Sequence, residues 1–312
     1  MAFDFSAVSA PFRMQPGLRR LAPDATQLTP LRDGDRVLLE KLQVLSVHAS
    51  QALVCMPGFD AAPAQAALCR HGAAEHPAAF SWDGTTAAAH HLGWAVAHDT
   101  LLPLAGARPE IGRCLSELPG GWRIAGLLAL AFAEDFAIVD ADSGCVPWMA
   151  VCLPSRWAPQ AKVGRHFSVI HAPVADNAVL LAAGGHLLRL VTAPGRWERF
   201  VWTITPHAGL DSHPGRVAHA AWSNAASPTE LAALAHWRTE RQTFIPLPES
   251  RQAVFTIHVD VQPLEQALAD SAQAAQVRDA LASMSPAVLA YRGLTPARDR
   301  LLAWLNAQAS GR

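Results

Sequence analysis

Residues 153–177, LPSRWAPQAKVGRHFSVIHAPVADN, gather the side chains best suited to chemistry. Pro154 ends a short apolar run. Arg156, Trp157, Lys162, Arg165 and His166 follow before the chain reaches Ile170-His171-Ala172-Pro173. A proline two positions after a histidine fixes φ and lacks an N–H, so the spacing predicts a stiff, non-helical loop at His171. An imidazole on such a loop with several cations beside it can hold an anionic cofactor or substrate. The same composition also describes a structural loop whose histidine only hydrogen-bonds a carbonyl.

A second constellation is HWRTERQT, residues 236–243. In an extended chain Arg238, Glu240 and Gln242 share one face, while Arg241 and Thr243 share the other. A carboxylate set between arginines can hold an amine or pass a proton during a reaction. The alternative is a surface ion pair at a sheet edge, worth about 0–1 kcal/mol.

The elements that must position these groups follow from pattern. Residues 36–46 fit either a short helix or a strand. The alanine-rich stretch 61–97 predicts two helices, broken at Pro77 and at Asp83-Gly84, with adjacent His90 and His91 diverging on the second. Short apolar runs at 127–133, 136–140 and 148–153, separated by turn residues, predict antiparallel strands. Residues 178–192 predict a helix despite Gly184-Gly185. Strands are expected at 198–204, 243–247 and 253–261, the last rich in β-branched residues. Helices are expected at 264–283, 286–291 and 296–309. The layout is α+β.

Composition bounds the rest. The 312 residues are 51% hydrophobic and 16% charged, against about 25% charged in an ordinary soluble domain, so apolar material is ample for a core and a ligand. A formal net charge of −1 and no Lys/Arg block argue against nucleic acid. The five cysteines are scattered without a CxxC pair, which fits a reducing compartment and gives no support for a thiolate metal site. The N-terminus lacks an apolar signal core and the apolar runs are too short to span a bilayer, so a cytoplasmic protein without membrane association is expected. No P-loop, GxGxxG, HExxH or GxSxG occurs.

Six segments in order, PFRMQPGLRRL, LALAFAEDFAIVD, VCLPSRWAPQAKVGRHFSVIHAPV, HWRTERQTFIPLPES, AVFTIHVDVQPL and AYRGL, resemble the haem-dependent oxidative N-demethylase family. The resemblance runs over most of the chain, is densest between residues 127 and 264, and is faint from 48 to 109. It implies a PAS-like antiparallel sheet of five strands that holds haem b, with flanking helices and helical additions at both ends. The implied division is an N-terminal region (1–110), a haem-binding core (111–262) and C-terminal helices (263–312), packed as one unit. The implied activity is removal of a methyl group from a small amine with O2. Electrons derived from NAD(P)H would come from a separate reductase carrying flavin and iron–sulfur centres.

By that resemblance His171 is the first candidate for the axial iron ligand, with His166 and His258 as competitors. Arg156, Lys162 and Arg165 are candidates for the propionates, Trp157 for packing over the porphyrin or into the core, and His258 for a cofactor contact. Glu240, Arg238 and Arg241 are the candidate catalytic groups. Two departures stand out: His258 occupies a position where relatives carry arginine, and Thr205-Pro206 replaces a histidine, with His207 and His213 shifted downstream. They leave dimethylamine itself in doubt as substrate. They also keep open a haem or small-ligand sensor or carrier without turnover, and a cofactor-free subunit.

Overall fold

A computed structural model describes residues 3–218 and 220–311. The N-terminal part contributes β1 (Arg19–Arg20), α1 (Arg36–Ala52), β2 (Leu53–Cys55) and α2 (Ala62–Glu75). Two hairpins follow, β3 (Phe80–Trp82) with β4 (Thr86–Ala89) and β5 (Trp94–Ala97) with β6 (Thr100–Pro103). Then come α3 (Pro109–Glu117), α4 (Arg123–Ala131), β7 (Asp135–Asp140) and β8 (Trp148–Ala150). After them lie α5 (Phe167–His171), α6 (Ala178–Thr192), β9 (Trp197–Thr205) and α7 (Pro228–Ala233). The long strands β10 (His236–Leu247) and β11 (Gln252–Pro263) precede α8 (Leu264–Ala267), α9 (Ser271–Ala282), α10 (Pro286–Tyr291) and α11 (Arg298–Ala309).

This is an α+β fold. A seven-stranded sheet runs β1-β9-β10-β11-β7-β8-β2, every pairing antiparallel, and β3 to β6 form a separate four-stranded sheet. The register places Arg238 opposite Thr203, Glu240 opposite Val201 and Gln242 opposite Arg199. Because side chains alternate along a strand, one face carries Arg199, Val201, Thr203, Arg238, Glu240, Gln242 and Phe244. Leu188 and Val191 of α6 pack at the far end of that face, against Val139, Ala253, Phe244 and Phe255. On the opposite face Trp202, Ile204 and Trp237 meet Leu264, Val277, Leu281 and Leu301 of the C-terminal helices. The largest core joins Leu38 and Leu68 to Phe136, Trp148 and Val254, across the boundary expected near residue 110. No helix among the described residues is long and apolar enough to cross a membrane.

Several local expectations are corrected. The run around 127–133 is the end of α4, not a strand; Ala125 to Ala131 are all buried, so the helix has no polar face to reveal its period. The second helix expected before residue 97 is the hairpin β4–β5, with His90 and His91 in its turn. The ambiguous segment at residue 36 is helical through Ala52. Residues 264–283 break into α8 and α9, with Asp270 capping the second through Ala272 N and Gln273 N. His171 ends a short helix instead of lying in extended chain, and Asn177 Nδ2 donates to the carbonyls of His171 and Ala172 at 3.0 Å each.

Candidate functional site

The site is built from β9, β10, the loop after β8, and the α5–α6 pair. Gly184 on α6 faces the ring of Phe167, and a Cβ there would stand 2.7 Å from it. The glycine that weakens the helix thus admits the phenyl ring. That ring lies 4.0 Å, centroid to centroid, from the imidazole of His171. His171 Nδ1 stands 2.8 Å from the Phe167 carbonyl oxygen. A carbonyl only accepts, so Nδ1 carries the proton and the neutral ring presents the lone pair of Nε2. Nε2 makes no hydrogen bond to the described residues. Burial pushes the ring's pKa down to about 4; Lys162 and Arg199 add to the fall, against the raising effect of the Phe167 carbonyl.

Facing the sheet, Lys162 Nζ lies 4.2 Å above the Trp157 ring. Trp157 itself packs on the buried cluster of Ala137, Met149 and Val151. Burial lowers the Lys162 ammonium to about 8, and the charge of Glu240 opposes the shift. Arg199 is likewise lowered by burial and supported by Glu240 alone. Its Nε is buried without a hydrogen-bond partner. Arg292 donates to the Trp202 carbonyl across the sheet edge and leaves its own Nε unpartnered. Burial pulls it down to about 10, with Tyr291 and Glu240 raising it and Arg199 lowering it further.

Glu240 is therefore the one carboxylate acting on Lys162, Arg199 and Arg292 among the described residues. Its Oε1 accepts from Ser155 Oγ, and its Oε2 accepts from Gln242 Nε2 at 2.6 Å. Arg238, buried on the same face, donates to Ser155 Oγ at 2.8 Å and to the carbonyls of Leu210 and Gly209 at 2.8 and 3.2 Å. Arg156 has a left-handed backbone (φ 64°) and approaches α10. Gly293 lets it in: a Cβ there would sit 2.5 Å from Arg156 Nη1.

The structure thus brings His171, Lys162, Trp157, Glu240 and Arg238 to one side of the sheet. It does not bring Arg241 and His258 with them. Both lie on the opposite face, paired across β10 and β11, because strand alternation turns every second side chain away. Arg241 holds Glu198 at 2.9 Å and the Thr26 carbonyl at 2.8 Å. His258 meets Glu134 at 2.8 Å, with Thr29 nearby. Arg165 is exposed on the turn before α5, and His166 is an exposed N-cap whose Nδ1 accepts from the Ser168 amide. Thr205, at the end of β9, pairs with His236; His207 and His213 turn back onto their own loop through Gly209 O and Gly215 N. Sequence reasoning gave no role to Ser155, Arg199 or Arg292. Arg199 was within reach through the alternation of WERFVWTIT, which sets it on the face opposite to Glu198.

The fold is α+β, and the arrangement sets a group of cations beside a neutral histidine. The chain belongs to the family of haem-dependent oxidative N-demethylase, alpha subunit-like proteins, whose sequence model matches residues 36–302.

The residues present fit such a cofactor. Glu240 is the one carboxylate acting on Lys162, Arg199 and Arg292, and its charge acts on Arg238 as well, so positive charge is in excess there, the sign that propionates would neutralise. The Nε atoms of Arg199 and Arg292 have no acceptor among the described residues and could each donate to a ligand carboxylate. The free Nε2 of His171 is of the type that binds iron, its other nitrogen fixed by a backbone carbonyl.

Proposed function

We propose that this chain is the catalytic, haem b-binding subunit of an oxidative N-demethylase that takes a methyl group from a small amine. The observation that carries the reading is His171: its tautomer is fixed by Phe167, its Nε2 is left open, and burial keeps it neutral down to about pH 4. When bound, the haem supplies dioxygen activation, using electrons delivered from NAD(P)H by a separate flavin and iron–sulfur reductase.

The chain's own residues bind, orient and move protons. His171 Nε2 would hold the metal, while Lys162, Arg199 and Arg292, with Arg156 beside them, would take the carboxylates. Glu240 lies within electrostatic reach of those cations. It pairs with the substrate's ammonium and takes its proton, so that the nitrogen lone pair is available when oxidation begins. Gln242 and Ser155 hold that carboxylate in place. Trp157 closes the apolar floor under Lys162 and limits water there. Strands β7 to β11, lying in the order β9-β10-β11-β7-β8 and all antiparallel, support the PAS-like reading. The free cysteines support a cytoplasmic setting.

The test is an absorption spectrum of protein expressed with ample haem, oxidised and then reduced. A Soret band that disappears in His171→Ala, together with formaldehyde release when reductase, NADPH and an amine are added, is the expected result. A well-folded, colourless wild-type protein overturns the reading.

A further inference from the structure

We infer that Ser155 is the positioning residue for Glu240 and carries the orienting effect of Arg238 to that carboxylate; the inference rests on the role proposed for Glu240. A serine hydroxyl has one hydrogen to give and lone pairs to receive. Ser155 uses both: it accepts from Arg238 Nε at 2.8 Å and donates to Glu240 Oε1. Arg238 makes no hydrogen bond of its own to Glu240, because its other nitrogens are spent on the carbonyls of Leu153, Gly209 and Leu210. The guanidinium is thereby fixed by two loops, and among the described residues the serine is its one hydrogen-bonded link to the carboxylate.

The backbone is arranged to aim that hydroxyl. Ser212 N donates to Pro154 O and Arg156 N donates to Ser212 O, both at 3.1 Å, so the residues on either side of Ser155 are clamped to the 206–213 loop. The next residue, Arg156, holds a left-handed φ of 64°. That conformation is disfavoured for a side chain with a Cβ and survives where its surroundings over-determine it, as they do at functional sites. With Gln242 on the other oxygen, Glu240 has one donor on each side and cannot rotate without breaking one of them. A carboxylate that must meet an ammonium at one spot gains from such fixation, since misplacement by about 1 Å weakens catalysis up to about a hundredfold.

The experiment compares Ser155→Ala, Ser155→Thr and Ser155→Cys in the haem-loaded protein, titrating dimethylamine and reading the perturbation of the Soret band. Ser155→Ala is expected to weaken amine binding about tenfold with the Soret intensity unchanged. Threonine should restore most of the loss, and cysteine, a weaker donor, should fall between. In a Glu240→Gln background Ser155→Ala should add nothing. Equal affinity in Ser155→Ala, or an equal loss with and without Glu240, overturns the inference.

A second readout stands apart from the haem. In the ligand-free chain, the infrared difference between wild type and Glu240→Gln isolates the Glu240 carboxylate stretches. These should move in Ser155→Ala and return in Ser155→Thr; unmoved bands also overturn the inference. Absence of a Soret band in every variant defeats the proposed function and leaves the infrared result to decide Ser155. Should Ser155→Ala fail to fold, Ser155→Thr and Ser155→Cys carry the same comparison.

Discussion

At the start of β7, Lys41 Nζ lies 3.1 Å from Asp135 and donates to the carbonyls of Phe132 and Glu134, while Glu134 meets His258 at 2.8 Å. Asp135 also accepts the Leu153 amide and Glu134 the Thr29 amide. Lys41, Asp135 and Glu134 there each face both a side-chain partner and a backbone group. Around Glu240, by contrast, three cations share a single carboxylate, and two guanidinium Nε atoms have no acceptor. The first cluster is fully buried and the second half-buried, and burial penalises charge in both. The first compensates that penalty within the chain. The second keeps more positive charge than negative, which an anionic ligand would balance, although Arg292 also stacks over Phe12 at 4.6 Å and Trp202 at 5.4 Å.

Substitution should split the two clusters by sign. Replacing Lys41, fully buried, by methionine leaves Asp135 without its cation and is expected to lower stability by about 3–5 kcal/mol, the range for breaking a buried pair from one side. Replacing Arg199 by methionine removes a half-buried charge whose Nε has no acceptor among the described residues, and should raise the stability of the ligand-free chain by at most about 1 kcal/mol. The same change should weaken haem binding about tenfold. Urea denaturation of the two variants without haem is the measurement. A destabilised Arg199→Met would mean that its charge is compensated within the chain, and the contrast would fail.

The matched cluster should also show itself through pH. Burial raises the Glu134 carboxyl, but the hydrogen bond and charge of His258 and the Thr29 amide outweigh it, and the net shift is downward from 4.5. A depressed carboxyl contributes stability that is present above its unfolded pKa and is lost as pH falls through the folded value. The unfolding midpoint should therefore drop as pH is lowered below about 4.5. Glu134→Gln should flatten that part of the curve while lowering its plateau. An unchanged slope in the variant would assign the acid sensitivity to other carboxyls.

How far the sequence led depends on whether a signal was local. The alternation in HWRTERQT placed Arg238 and Glu240 on one face and Arg241 on the other, as β10 does, because the period of two belongs to the strand itself. The stretch AVFTIHVDV read as a strand for the same reason. Residues 125–131 misled because a helix buried all round has no polar side, and alanine-rich 86–97 because tertiary pairing into β4–β5 overrode helix propensity. His258 drew attention because relatives carry arginine at that position, yet its pairing with Arg241 turns it toward Glu134. Ser155, Arg199 and Arg292 converge on Glu240 from three parts of the chain. No spacing announces that, since register and edge crossing bring them together only after folding.

The smallest effect bears most directly on the unmatched cluster. Lys162 is lowered from 10.5 to about 8 by burial, with Glu240 alone pulling the other way. In the ligand-free chain the unfolded state therefore holds the extra proton between those values, so Lys162 makes stability rise with pH across that window. A dianionic ligand reverses the balance: by pairing with the ammonium it favours the protonated form and raises the pKa again. Haem affinity should then be level below about pH 8 and decline above it, by at most about tenfold per unit, with proton uptake on binding near pH 9. Lys162→Met should bind more weakly at neutral pH and lose the decline. The measurement is haem titration by absorbance between pH 7 and 10, with an indicator dye for the proton. Affinity flat across that range in the wild type would move the carboxylates away from Lys162, leaving Arg199 and Arg292 to hold them.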